Sequence, residues 1–209
     1  RGRAWHSPPG GNIYATFLVK EIRLPLHSYS WIACLSALES LRAFAPGQDF
    51  RLKWPNDVCC VSLDGNLRKI AGVLCETHSP PGCNSADGMA VGIGVNLNMG
   101  RHDIKEIAGR TPPASLSIVT GVRIDAAKFA ESLYLSFHEN LLVGEDGLYK
   151  LWRHEDTFTG REVTVSDEVG RLLARGVYSG TASNGSLRLK LPDGNEKHFF
   201  SGEVSLIIH

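Results

Sequence analysis

Lys53-Trp54-Pro55-Asn56-Asp57 is the stretch from which the fold can be worked out, and an apolar run follows it at residues 70–74. Proline has no backbone N–H, so the strand that leads into this motif should stop there, and the asparagine and aspartate favour a turn. The chain is expected to return through residues 58–61, turn again at 63–66 and enter a buried strand. The sequence therefore predicts a β-hairpin followed by a third strand.

Lys69 stands at the start of that third strand, directly before Ile70 and the apolar residues that follow. A cation against apolar surroundings attracts a carboxylate or a phosphate more strongly than a cation in bulk water. The alternative is an ordinary strand-end lysine in solvent. Two further segments favour an anion-binding role.

The first of these segments is the N-terminus, residues 1–12, and the second is the apolar stretch at residues 91–98. In the first, glycines allow the backbone to approach a ligand, and arginines suit the geometry of phosphate. In the second, glycines at the alternate positions 92 and 94 leave one face of a strand without side chains. A flat group could lie on that face.

Four ordered segments resemble the catalytic module of the biotin protein ligases. They are Arg1-Gly2-Arg3-x-Trp5-x-Ser7-Pro8-x-Gly10, the motif at 53–57, Lys69-Ile70-Ala71-Gly72-Val73-Leu74-x-Glu76, and Gly92-Ile93-Gly94-Val95-Asn96. Residues 202–206 are similar to the last strand of the family's small β-barrel. The resemblance implies an α+β fold, with a mixed β-sheet and packed helices over residues 1–154 and a small SH3-like β-barrel over residues 155–209. By the same resemblance, the catalytic part is expected to be N-terminally incomplete.

The resemblance also implies an enzyme that activates biotin with ATP to biotinyl-5'-AMP and transfers biotin to a lysine of a carboxyl-carrier domain of a biotin-dependent carboxylase. Biotin and ATP would be its substrates, and Mg²⁺ is expected with the nucleotide, held mainly by phosphates. One alternative is a non-catalytic biotin-sensing or dimerising module of a regulator. Another is a lipoate ligase or transferase, although the motif at 53–57 and the terminal barrel favour biotin.

By the same resemblance, Lys69 contacts the biotin carboxylate and the α-phosphate, and Arg3 belongs to a loop that folds over the adenylate. Asp57 would assist the attacking amine of the carrier lysine, or it would instead cap the turn. Asn96 would lie near the nucleotide, or would hold a turn. The substrate-binding positions are Arg1, Gly2, Trp5, Gly10, Gly11, Tyr14, Asn56, Ile70, Ala71, Gly72, Gly94 and Asn96. Gly72 is expected to leave room for biotin, and Trp5 is either beside the nucleotide or an aromatic plug under the loop.

The amino-acid composition limits which partners, metal sites and cellular location are expected for this chain. The 22 basic and 22 acidic residues balance, so no global field attracts nucleic acid or an anionic membrane. The cysteines number five and match no zinc spacing, and Cys34 and Cys75 lie in apolar runs typical of a core. The cysteine usage predicts a cytoplasmic protein. The charge balance predicts that no nucleic acid or membrane is a partner through this chain. The resemblance to the family allows either a monomer or a homodimer. No metal-ligating residue is identified.

Periodicity predicts the remaining elements. A strand is expected at residues 12–20, a helix from Ser28 or Ser30 to Pro46, and a helix capped by Asp125. A further helix at 146–154, with Leu148, Leu151 and Trp152 directed inward, is expected to pack against the preceding one as a hairpin. Five short strands with tight turns follow, at residues 162–165, 172–177, 187–191, 197–200 and 203–208.

Overall fold

The computed structural model describes residues 10–79, 88–105, 111–167, 170–200 and 204–208. These ranges contain two β-sheets and five helices. The strands are β1 (Ile13–Val19), β2 (Phe50–Lys53), β3 (Asp57–Val61), β4 (Leu67–His78), β5 (Gly88–Val95), β6 (Glu162–Asp167), β7 (Leu172–Thr181), β8 (Leu187–Lys190), β9 (Glu196–Phe199) and β10 (Val204–Ile208). The helices are α1 (Leu26–Phe44), α2 (Arg101–Lys105), α3 (Leu116–Thr120), α4 (Ala126–Leu141) and α5 (Glu145–Glu155).

The first sheet has the strand order β1-β5-β4-β3-β2. The predicted hairpin and third strand are confirmed as β2, β3 and β4, with the second turn between Val61 and Leu67. All strand pairs of this sheet in the described ranges are antiparallel. In these ranges the sheet is therefore antiparallel and not mixed as expected, and the parallel pairing described there is an isolated bridge between Lys69 and Pro113 outside the named strands.

Helix α1 covers one face of this sheet and forms the centre of the core. It begins at Leu26, earlier than the predicted Ser28 or Ser30, because Pro25 occupies the N-cap position with a φ of −54°. Proline sits easily at a helix start, where a backbone N–H has no partner within the helix. Trp31 is 2% exposed and is confirmed as a core residue.

Helices α4 and α5 both pack on α1, which corrects the prediction that the two pack against each other as a hairpin. The Asp125 cap is confirmed, since its carboxylate accepts hydrogen bonds from the backbone N–H groups of Ala127 and Lys128. Within α5, Leu148 and Trp152 are buried as predicted, but Leu151 is 39% exposed and the prediction for it was wrong. Among the residues of this 11-residue helix, Leu148 and Trp152 form the buried stripe, and Leu151 lies beside that stripe. No helix in the described ranges is long and apolar enough to cross a membrane.

The second sheet contains the five strands predicted for the C-terminal part, in the order β10-β6-β7-β8-β9. All of its described strand pairs are antiparallel. Val163, Val165, Leu187 and Leu189 are fully buried and belong to one continuous core with α1 and the first sheet. Residue 203, where the last strand was predicted to begin, lies outside the described residues.

An aromatic stack joins α1 to α5, and His27 at its edge contacts the second sheet. The ring of Trp31 stacks on Trp152 and Tyr149 at centroid distances of 5.6 and 5.9 Å, and His27 packs edge-on against Trp31 at 4.7 Å. The His27 Nε2 atom lies 2.9 Å from the carbonyl oxygen of Ser183, in the turn between β7 and β8. The second sheet is thereby held against α1.

His27 should make stability depend on pH. Its pKa is lowered chiefly by burial, an effect opposed by its hydrogen bond to Ser183 and by Glu145. A base with a lowered pKa in the folded state binds fewer protons there than when unfolded, so the free energy of unfolding falls as pH drops below about 6.5. Urea denaturation from about pH 7 to pH 5 should show a larger loss for the wild type than for His27→Gln, which keeps a hydrogen-bond donor but cannot be protonated. Equal losses would contradict this account.

Candidate active site

One row of residues crosses the first sheet on the face opposite α1. The strand register aligns Tyr14, Gly94, Gly72, Asp57 and Lys53, one from each strand. Residues paired directly across neighbouring strands point to the same face. Two adjacent members are glycines, so the row has a floor without side chains between Tyr14 and Asp57. The predicted glycine-lined face of β5 is therefore present, and β4 extends it.

A β-bulge brings Lys69 to this face. Val58 pairs with Ala71 and Cys59 pairs with Lys69, which leaves Ile70 as an extra residue on β4. Residues three apart on a regular strand point to opposite faces, whereas an inserted residue returns them to the same face. Lys69 is thereby placed on the side of Gly72.

The side chain of Lys69 runs across Gly72 and ends at Asp57. Its Nζ atom lies 2.5 Å from Asp57 Oδ1, and the two side chains are 34% and 18% exposed. A Cβ atom built on Gly72 would lie 2.8 Å from both Cε and Nζ of Lys69. Such a contact is too short to persist, so a glycine at position 72 allows Lys69 to adopt this path. The lysine is therefore accessible to a ligand and is not free in bulk water.

The segment that follows residue 110 braces the bulge. The N–H of Lys69 donates to the carbonyl of Pro112 at 2.8 Å, and the carbonyl of Lys69 accepts from Ala114 at 2.7 Å. The Asn96 side chain donates to the carbonyl of Ala114 at 3.0 Å. This contact is the structural role that the sequence left open for Asn96, and a contact with nucleotide stays a prediction.

The turn of the 53–57 motif is fixed to β4. Asn56 Nδ2 donates to the carbonyl of Val73 at 2.5 Å, and the N–H of Val73 donates back to the carbonyl of Asn56 at 2.9 Å. Asn56 thus positions the turn, and its part in substrate binding stays a prediction. The carboxylate of Asp57 pairs with Lys69 and makes no hydrogen bond to the turn within the described residues. This geometry favours the chemical role for Asp57 over the cap.

Lys53 ends the row, and the sequence assigned it no role. It is only 8% exposed, and its Nζ donates to Thr111 Oγ1 at 2.7 Å. A charge this buried normally requires good partners. Because Lys53 lies beside Asp57 in the row, its charge also adds positive potential to the site. The hairpin register alone could have indicated this location, because a turn over residues 54–56 pairs positions 53 and 57.

The remaining predicted positions lie in the core, near the start of β1, or outside the described residues. The side chains of Ile70 and Ala71 are buried in the core, at 0% and 2% exposure, so their contact with a ligand would come from the backbone. Tyr14 lies on the open face at 45% exposure, and Gly11 accepts a hydrogen bond from Asn98 near the start of the same strand. Gly10 begins the described chain with a φ of +76°. Arg1, Gly2, Arg3 and Trp5 lie outside the described residues.

The cysteines near the site are not poised as nucleophiles. Burial raises the pKa of Cys59 and of Cys75 to about 12 and raises the pKa of Cys34 well above its usual value. A thiol with such a pKa is uncharged at neutral pH and is a poor nucleophile or metal ligand. Cys34 is fully buried, as predicted, whereas Cys75 is only partly buried. Cys83 lies outside the described residues.

Residues 1–96 match the sequence model of the biotin/lipoate A/B protein ligase family. A biotin–[acetyl-CoA-carboxylase] ligase of Paracoccus denitrificans is 31% identical over 205 residues, which are 94% of this chain and 80% of that protein. The chain belongs to the biotin protein ligase family.

Two further relatives are also ligases by name. The biotin protein ligase of Aquifex aeolicus, solved with biotin and ATP, aligns with a TM-score of 0.76 at 27% identity, covering 100% of this chain and 83% of that one. The bifunctional ligase/repressor BirA of Salmonella typhimurium is 28% identical over 99% of this chain. This chain spans 62% of that protein's length.

Proposed function

We propose that this protein joins biotin to ATP, forming biotinyl-5'-AMP and pyrophosphate, and then transfers biotin to a lysine of a biotin carboxyl-carrier domain. The observation that carries the proposal is the Lys69 ammonium lying over Gly72 on the open face of the first sheet. Family membership and the relatives with bound biotin and ATP support the choice of substrates. The further site residues, including Arg1, Arg3 and Trp5, are proposed on the resemblance alone.

The first step needs positive charge. A carboxylate oxygen must attack the α-phosphorus while the bond to pyrophosphate breaks, and several negative oxygens come together. A preorganised ammonium stabilises the charge that develops. Lys69 can serve in this way if an incoming carboxylate replaces Asp57 as its partner. Lys53, at the end of the same row, adds to the positive potential.

The second step needs a neutral amine. The carrier lysine must lose its proton before it attacks the anhydride carbonyl and releases AMP. Once Lys69 has turned to the substrate, the Asp57 carboxylate lies beside the reaction centre without its partner. It can then accept that proton.

Asp57→Asn should therefore slow transfer more than activation. The amide keeps the size of the side chain but cannot accept the proton, and a lost general base commonly costs about 100- to 10,000-fold in rate. Single-turnover transfer from preformed adenylate to a carrier domain would measure this effect, with adenylate formation followed in parallel. A transfer rate within about threefold of the wild type would place the base elsewhere.

The proposal also covers the metal, the domain organisation, the location and the assembly. Mg²⁺ is proposed to arrive with ATP, held mainly through phosphates. The described residues contain no group of three or more histidine, cysteine or acidic side chains arranged to hold a metal. Residues 1–154 are proposed as the catalytic unit and residues 155–209 as an SH3-like barrel, which the five-strand second sheet supports. A cytoplasmic location, and a monomer or homodimer, complete the proposal.

The test uses the full-length protein, ATP, labelled biotin and a purified carrier domain. Label on the carrier lysine is the expected result. Tight biotin binding without transfer would favour the sensing module, and preferential transfer of lipoate would favour the lipoate relative. The named relatives, which are biotin ligases, support biotin over both alternatives.

A further inference from the structure

We propose that the β7–β8 turn of the second sheet is a positioning element for the catalytic pair, acting through Trp54. This inference rests on the proposed function. Trp54 is 4% exposed, and its indole N–H donates to the carbonyl of Gly185 at 3.1 Å. Trp54 is the neighbour of Lys53 and lies three residues before Asp57, so the turn contacts the hairpin that carries the site.

The β7–β8 turn is itself rigidly held. The Ala182 N–H donates to Ser186 and the Gly185 N–H donates to Ala182, at 2.8 and 2.9 Å. Asn184 Oδ1 accepts from both the N–H and the hydroxyl of Ser186. A turn closed by this many hydrogen bonds presents the Gly185 carbonyl in one orientation. It is suited to fixing another group in place.

Contact with His27 explains why glycine stands at position 185. Its φ is +81°, a conformation that costs little only for glycine. A Cβ atom there would lie 2.7 Å from Cβ and 2.8 Å from Cγ of His27. Both backbone conformation and space therefore require glycine, and the close approach seats the turn against α1.

The path from the turn to the chemistry is short. The hairpin turn over residues 54–56 is held on one side by Asn56, bonded to β4, and on the other by Trp54, bonded to Gly185. Asp57 is the next residue, and its carboxylate meets Lys69. Loss of the Trp54 contact frees one side of the turn and shifts Asp57 relative to Lys69. Trp54 and Gly185 touch neither reacting atom, so they are positioning residues.

Trp54→Phe tests the proposal with little disturbance, because phenylalanine keeps an aromatic ring and loses the N–H. A misplacement of about 1 Å can cost about 100-fold in rate. We expect kcat for biotinyl-AMP formation to fall about 10- to 100-fold while the KM values for biotin and ATP stay within about threefold. Gly185→Ala should reproduce this kcat loss, with thermal melting confirming that the variant is folded.

Trp152→Phe is the matched control. Its indole N–H donates at 3.0 Å to Thr181 Oγ1, at the end of the same β7 strand, and its ring stacks on Trp31, so its described hydrogen bond and ring contact go to residues other than 53–57. It should lower the melting temperature and leave kcat near the wild-type value. Equal kcat losses in both variants, or a wild-type kcat in Trp54→Phe, would overturn the positioning role. A wild type that forms no biotinyl-AMP would instead refute the proposed function, so the two failures are distinguishable.

Discussion

Lys69→Ala is expected to reduce biotinyl-AMP formation about 100- to 1,000-fold, the usual cost of removing one preorganised group that stabilises developing charge. The ammonium is the positive group that crosses the glycine floor toward Asp57. Because the side chain is 34% exposed, its loss should leave the melting temperature close to that of the wild type. Release of pyrophosphate from ATP in the presence of biotin measures the effect.

Lys20→Ala provides the matched control. Lys20 follows β1 of the same sheet and is exposed. Its removal also deletes one positive charge, and the rate should be unchanged. If both variants kept near-normal rates, Lys69 would have no role in activation.

Gly72→Val is expected to weaken biotin binding strongly. A branched side chain at this position must displace the Lys69 ammonium, because even a single Cβ would lie 2.8 Å from it, and it would also fill the glycine floor. Overpacking of about 1–3 kcal/mol corresponds to a loss of roughly 5- to 150-fold in affinity. Isothermal titration with biotin measures the dissociation constant.

Gly100→Ala is the control for this substitution. Gly100 is exposed and lies outside the first sheet, directly before α2. A Cβ there would meet Asp103 Oδ2 at an ordinary 3.5 Å. Its affinity for biotin should stay near the wild-type value. An unchanged dissociation constant in Gly72→Val would mean that biotin does not use this floor.

Much of the fold follows from local patterns. Pro55 and the following turn set the first hairpin, Asp125 caps α4, and the glycine turns after residue 160 separate the last strands. In each case the signal lies within a few adjacent residues, where the stereochemistry of proline or glycine or an acceptor side chain decides the outcome. The expectation that Gly92 and Gly94 share one face also needed only the period of a strand.

Features that depend on distant partners were beyond sequence reasoning. The bulge at Ile70 arises from pairing between β3 and β4 and from the brace at Pro112 and Ala114. The sequence placed Lys69 at a strand start, but its alignment with Gly72 required that bulge. The exposure of Leu151 and the contact of Trp54 with Gly185 likewise depend on how remote segments pack.

The central claim is that the Lys69 ammonium binds the carboxylate of the substrate, and a comparison of biotin with biotinamide tests it most directly. A charge-assisted hydrogen bond contributes about 1.5–3 kcal/mol, so the wild type should bind the acid about 10- to 150-fold more tightly than the amide in titration calorimetry. Lys69→Ala should bind the two equally. A preference for the acid that survives in Lys69→Ala would contradict the claim.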